Sequence, residues 1–260
     1  MTIAPAEQPD ESHPSRPPSR PPAPKRYDTP APWSASDTVA AVAIYGGFGW
    51  VVGVLVVLCI VPAGPGTYLV SLAGAAACTI AWVRHVVRTQ DGGSWATALG
   101  VRFLRRDLLI GPAVAAALYG VELAGSALLV WRLGPAAEDS AWGATAEVLH
   151  RPAMVAVAIL GVTVAPFVEE VVFRGMLLRS LAGRFGVADR IAIASVIFGA
   201  LHLSPTVSWQ ANLTTFILVS VFGAGMCVVS RWTDRLGPAI VAHSVTNLVA
   251  FSLLIADLPT

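Results

Sequence analysis

The amino-acid sequence predicts an all-α protein, a polytopic bundle of about seven to eight transmembrane helices, and two observations support this prediction. First, 55% of the 260 residues are hydrophobic, only 13% are charged, and the mean hydropathy is +0.67. Soluble domains carry roughly 25% charged residues, so the composition argues against a soluble enzyme. The net charge of +1 gives no reason to expect a nucleic-acid partner. Second, the chain contains seven long apolar runs.

Before the first apolar run, residues 1–33 are expected to form a disordered, proline-rich cytoplasmic tail. This segment contains ten of the nineteen prolines, interspersed with serines, arginines and acidic residues. Such a composition cannot bury enough apolar surface to offset the entropy lost on folding. Residues 34–260 are therefore expected to form the transmembrane domain.

The seven apolar runs are expected to be the membrane spans, because a helix of about 20 apolar residues crosses the hydrocarbon core of a bilayer. The fifth run is short by this criterion, and we expect its helix to begin near Gly186 and to end at about Ser204. The runs lie at 39–61, 67–83, 108–131, 152–178, 191–203, 211–230 and 238–256.

Arginines predict the orientation of these spans in the cell membrane. They precede the first run and recur after the second, fourth and sixth runs, as Arg20, Arg84, Arg179 and Arg231 illustrate. Because basic residues concentrate in cytoplasmic connections, this alternation predicts a cytoplasmic N-terminus.

A few strongly polar residues fall inside the runs, where a charge costs at least roughly 2.5–3.5 kcal/mol at a helix centre. Glu170 and Arg174 are four residues apart on one helix face and are expected to form an ion pair. By the 3.6-residue period, Glu169 lies about 140° from Arg174, so its carboxylate is expected to be free for chemistry. His243 and Asn247 are also four residues apart and should lie side by side.

Polar residues from three different runs are expected to meet in one layer of the membrane. Counted at 1.5 Å per residue from the nearest cytoplasmic arginine, four of them lie about 12–18 Å deep: Glu169, His202, His243 and Asn247. Glu122 lies at about 24 Å and is expected outside the site. A carboxylate or an imidazole accepts a proton from water, and N–H groups stabilise an oxyanion. These groups indicate hydrolysis of an acyl bond, and hydrogen bonds that only hold helices together are the structural alternative.

Three motifs lie on three of the predicted helices: EEVVFR at 169–174, FGALH at 198–202 and HSVTN at 243–247. In this order and spacing they resemble the motifs of the CAAX-protease and bacteriocin-processing (CPBP, or Abi) family of intramembrane metalloproteases. The resemblance covers about residues 152–251 and implies a CAAX-protease-like catalytic core in that part of the chain.

The resemblance also implies roles for individual residues. Glu169 and His202 would activate water, and His243 with Asn247 would hold the oxyanion of a tetrahedral intermediate. The supporting residues would be Glu170, Arg174 and Phe198. Two histidines and a glutamate, namely Glu169, His202 and His243, would also supply three ligands of a catalytic zinc site with water in the fourth position. A metal-free glutamate mechanism fits the same residues equally well.

The predicted function is therefore that of an intramembrane endopeptidase, a hydrolase that cleaves a peptide or a lipidated protein in contact with membrane lipid. Intramembrane glutamates and histidines also form proton relays, so a proton-coupled transporter is one alternative, although the sequence contains no internal repeat. A catalytically silent scaffold or immunity protein of the same family is the other alternative.

Overall fold

The computed structural model describes residues 26–57, 65–139, 143 and 151–257, and residues 48–57 and 65 are described by their backbone alone. Seven principal helices, labelled here in chain order, occupy most of these residues, and the same residues contain no β-strand. The helices are α1 (Ala35–Val57), α2 (Pro65–Val86), α3 (Asp107–Leu133), α4 (Arg151–Glu169), α5 (Val187–Ala200), α6 (Trp209–Thr233) and α7 (Gly237–Ala256). The all-α prediction is confirmed.

Within the described residues, five helices are long and apolar enough to cross a membrane, and the chain is a multi-pass membrane protein. These helices are α2, α3, α6, α7 and α4 together with its extension to Ser180. The fifth predicted run begins as expected, because Gly186 is the residue before α5. However, α5 ends at Ala200, earlier than predicted, and its 14 residues span only about 21 Å at 1.5 Å per residue.

Successive helices run in opposite directions between two ends of the bundle. One of them, called here the arginine end, is defined by Arg26, Arg179, Arg190, Arg231 and Arg235. At this end the first residue of α3, Asp107, pairs with Arg235 just before α7, at 2.5 Å between Oδ1 and Nη2. Arg151 at the start of α4 instead donates to the carbonyl of Ile255 near the end of α7, at the opposite end of the bundle.

The last eight residues of the predicted disordered tail, 26–33, are packed against the arginine end, which corrects that prediction. Tyr27 is fully buried and Trp33 nearly so. Arg190 donates to the Tyr27 carbonyl, and Asp28 pairs with Arg231. These two aromatic side chains supply the apolar surface that the surrounding prolines do not, and burial raises the pKa of the Tyr27 hydroxyl far above its usual value. Residues 1–25 lie outside the described residues.

Two glycines let helices approach closely beside the predicted motifs. A Cβ atom at Gly199 of α5 would lie 2.8 Å from the Phe216 carbonyl oxygen of α6. A Cβ atom at Gly161 of α4 would lie 2.5 Å from the Phe251 ring of α7. Small residues at helix contacts are the usual means of close packing in membranes. These contacts hold α5 and α7 against neighbouring helices at the level of the polar motifs.

The helix that carries the first motif changes its geometry at that motif. After Glu169 the chain continues as a π-helix, Glu170–Leu177, all of whose residues are buried. The 3.6-residue period therefore does not hold here, and the angle of about 140° predicted between Glu169 and Arg174 does not apply. Short π-helical segments within α-helices occur frequently at functional sites.

Candidate active site

A cavity of about 780 Å³ lies inside the bundle and receives residues from all seven helices. The four residues predicted to be catalytic all line it: Glu169, His202, His243 and Asn247. The cavity extends from Glu169 toward the end opposite the arginines, where Ser204, Asn212 and Asp257 line it. The three motifs that are separate in sequence therefore meet at one space.

The core of the site is a chain of contacts between two carboxylates and one imidazole. His243 lies between them, with Nε2 3.5 Å from Glu169 Oε2 and Nδ1 2.9 Å from Glu170 Oε1. Arg174 donates to the same Glu170 oxygen at 3.1 Å, so the predicted Glu170–Arg174 ion pair is present. Glu170 is therefore more than the partner of Arg174, because it also orients the imidazole.

The Glu170–Arg174 pair is fully buried, with both residues 0% exposed. Arg174 also donates to the Gly223 carbonyl at 3.0 Å, and its guanidinium carbon lies 4.5 Å from the centre of the Phe198 ring. The same ring lies edge-on to His243 at 6.1 Å between centroids. A buried ion pair needs such additional contacts to offset the loss of hydration. Phe198 therefore packs between the ion pair and the imidazole.

His202 lies in the turn that follows α5, two residues beyond the end of the helix. Its Nδ1 is 2.7 Å from the Phe198 carbonyl oxygen, and its ring is 4.6 Å from the Phe198 ring. A carbonyl oxygen only accepts hydrogen bonds, so Nδ1 carries the proton. In the neutral imidazole, Nε2 is then unprotonated and available as a base.

Asn247 is fixed in the cavity by α4. Its Nδ2 donates to the Gly161 carbonyl at 2.8 Å, which occupies one of the two amide N–H groups. The other N–H group is left for a ligand in the cavity. His243 and Asn247 are the two residues expected to hold an oxyanion. Both ring nitrogens of His243 face carboxylates, whereas Asn247 has one amide N–H group that is not used by its bond to Gly161.

Polar residues outside the predicted site also line the cavity, among them Tyr45 and Glu122. The Tyr45 hydroxyl of α1 donates to Glu169 Oε1, and no spacing pattern in the first apolar run indicates this contact. Glu122 of α3, which the depth count places farther from the arginines than the predicted site, lines the same cavity because the cavity extends in that direction.

The predicted zinc ligands do not fit a metal site in this arrangement. Within the described residues, no three His, Cys, Asp or Glu side chains are grouped closely enough to hold a metal ion. Glu169 and His243 are neighbours, but His202 does not complete a group of three ligands with them.

Comparison with known proteins agrees with the motifs. Residues 151–249 match the family model described as Rce1-like, type II CAAX prenyl endopeptidase. No curated protein and no solved structure matches the chain. The matched segment is shorter than half of the chain, but it extends from α4 into α7 and contains all three motifs. Residues 151–249 of this multi-pass membrane protein are therefore similar to the Rce1-like family of CAAX-type proteases, which agrees with the resemblance to CPBP proteins.

Proposed function

We propose that this protein is an intramembrane endopeptidase that hydrolyses a peptide bond of a lipidated or otherwise apolar substrate. One observation carries the proposal. Glu169 Oε2 is buried beside the cavity, 3.5 Å from His243 Nε2, and makes no hydrogen bond within the described part of the chain. A buried carboxylate oxygen without a hydrogen bond costs free energy. Its position next to an imidazole supports a reactive role.

In this proposal Glu169 and His202 activate water. Glu169 Oε2 accepts a proton from the water molecule, and the unprotonated Nε2 of His202 accepts the hydrogen bond that orients it. The water oxygen then attacks the carbonyl carbon of the peptide bond, and the carbonyl oxygen acquires the negative charge.

His243 and Asn247 stabilise that charge. The proton on Glu169 passes across the 3.5 Å contact to His243 Nε2 and forms an imidazolium held by Glu170. This cation and the remaining Asn247 N–H stabilise the oxyanion. Transfer of the proton to the amide nitrogen then breaks the C–N bond and gives a carboxylic acid and an amine. The acid then passes its remaining proton to the amine, and the products are a carboxylate and an ammonium group.

The cavity walls support an apolar substrate. Aliphatic side chains line much of the cavity, and six examples are Leu72, Ala75, Val157, Ala165, Val219 and Leu254. A volume of about 780 Å³ lies within the range of roughly 300–1,000 Å³ that small-molecule pockets occupy. Because the matched family is described as prenyl endopeptidases, a prenylated peptide is the first substrate to test.

We also propose that the arginine end and the N-terminus lie in the cytoplasm, because arginines concentrate in cytoplasmic connections. Because the cavity extends away from the arginine end, its substrate then enters from the opposite side of the membrane.

The test uses the full chain in lipid nanodiscs with fluorogenic peptides, one farnesylated and one without a lipid. Glu169→Gln is compared with Glu138→Gln, which removes an exposed carboxylate that does not line the cavity. We expect Glu169→Gln to lower the rate of cleavage by about 10²- to 10⁴-fold, the usual contribution of a general base, and Glu138→Gln to leave it unchanged.

Full cleavage by Glu169→Gln would overturn the proposal. Proton flux in proteoliposomes that depends on Glu169, without proteolysis, would identify a transporter. Capture of a partner by Glu169→Gln with undiminished biological activity would identify a scaffold. Each reaction is repeated with EDTA, and loss of activity that Zn²⁺ restores would contradict the metal-free mechanism.

A further inference from the structure

Helix α1 contacts the proposed catalytic carboxylate directly, although it lies outside the segment that matches the protease family. The Tyr45 hydroxyl donates to Glu169 Oε1 across 124 residues of sequence. The other carboxylate oxygen, Oε2, faces His243. The two oxygens of Glu169 therefore have different surroundings, one held by the protein and one directed at the reacting groups.

The adjacent residue of α1 sets the distance between this helix and the turn that carries His202. A Cβ atom at Gly46 would lie 2.8 Å from Leu201 Cδ2, so the absence of a side chain lets Leu201 pack against the helix backbone. Tyr45 and Gly46 thus fix α1 against both groups that are proposed to activate water.

We infer that Tyr45 is a positioning residue for Glu169, an inference that rests on the proposed function. The hydrogen bond from Tyr45 to Oε1 fixes the orientation of the carboxylate, so that Oε2 stays directed at His243 and the cavity. Without this donor the carboxylate rotates between its neighbours, and Oε2 is less often directed at the reacting groups.

The experiment measures kcat, KM and the free energy of unfolding in mixed detergent for the wild type, Tyr45→Phe and Tyr119→Phe. Tyr119 lies on α3 and does not line the cavity, so it provides a matched loss of one tyrosine hydroxyl. For Tyr45→Phe we expect kcat to fall by about 10- to 100-fold, the effect of one hydrogen bond to a charged group. We expect KM and the free energy of unfolding to stay nearly unchanged, and Tyr119→Phe to match the wild type.

An unchanged kcat would overturn the inference. A fall in kcat explained by an equal loss of folded protein would indicate a purely structural role and would overturn it as well. If Tyr45→Phe does not fold, 3-fluorotyrosine at position 45 keeps both the side chain and the donor. Its kcat should remain near that of the wild type, and a fall of about 10-fold or more would contradict the inference. Glu169→Gln is measured in parallel, so that failure of the inference about Tyr45 can be distinguished from failure of the proposed function. Cleavage that persists without the Glu169 carboxylate refutes the proposed function itself.

Discussion

The arginine end and the cavity are the two polar regions of an otherwise apolar bundle, and they differ in how their polar groups are paired. At the arginine end each guanidinium meets a carboxylate or a backbone carbonyl, and the buried atoms left without a partner there, such as the Tyr27 hydroxyl, do not line the cavity. Arg235 binds Asp107, for example, and Arg179 donates to the Ala98 carbonyl. In the cavity, Glu169 Oε2 has no hydrogen bond within the described residues, and His202 keeps one ring nitrogen unused by its contact with Phe198.

A buried charge is therefore not by itself a sign of catalysis. Arg174 is as deeply buried as any residue of the protein, yet its contacts with Glu170 and Gly223 make it part of the framework. Unused hydrogen-bonding capacity at the edge of a cavity is the more informative feature. Substitutions in the cavity should therefore lower activity, and substitutions at the arginine end should lower stability.

The largest effect is expected in the cavity, from His202→Ala. Because this imidazole bonds only to a carbonyl of its own turn among the described contacts, its loss should leave the free energy of unfolding nearly unchanged. The rate of peptide cleavage should fall by about 10²- to 10⁴-fold. Peptide cleavage and unfolding in mixed detergent measure the two effects, and His85→Ala, an exposed histidine on α2, is the control. If His202→Ala unfolds at a markedly lower detergent fraction than the wild type, His202 contributes to stability, and the proposed distinction between the cavity and the arginine end is wrong.

An intermediate effect is expected from Asp107→Ala at the arginine end. The side chains of Asp107 and Arg235 are 1% and 6% exposed, so the substitution leaves a buried guanidinium without its carboxylate. Breaking such a pair should lower the free energy of unfolding by about 3–5 kcal/mol, with activity per folded molecule unchanged. The same detergent titration measures this loss against Asp189→Ala, which removes an exposed carboxylate. A stable but inactive Asp107→Ala protein would contradict the comparison.

The smallest effect is expected from Arg231→Ala at the same end. Arg231 and Asp28 are each about one-third exposed, so water and salt screen their attraction. The substitution should lower the free energy of unfolding by about 0–1 kcal/mol, and the difference should shrink at high ionic strength. A loss as large as that of Asp107→Ala would show that segment 26–33 contributes far more to stability than its charges indicate.

Much of the fold and of the candidate site could be predicted from the sequence. Helix length and hydropathy are local properties, so the apolar runs predict the helices and their alternating direction. The i,i+4 spacing predicts the Glu170–Arg174 pair, and the motifs identify four residues that line one cavity.

What could not be predicted depends on which helices are neighbours. Tyr45 occurs in an apolar run, where nothing in its spacing indicates that its hydroxyl meets a carboxylate 124 residues later. That Glu122 lines the same cavity depends on the length of the cavity, which the sequence does not give. The packing of Tyr27 and Trp33 depends on a surface that exists only after the helices associate.

The π-helical stretch at Glu170–Leu177 has a consequence for how this segment tolerates change. A wider turn accommodates one more residue than an ordinary helix of the same height, so removal of a single residue would restore ordinary winding. The residues after such a deletion would keep their orientation around the axis, and Arg179 would still face the Ala98 carbonyl. The same deletion in the ordinary helix before it, Arg151–Glu169, would instead rotate every later side chain by about 100° around the axis. We therefore expect the π-helical stretch to tolerate the loss of one residue better than the helix that precedes it.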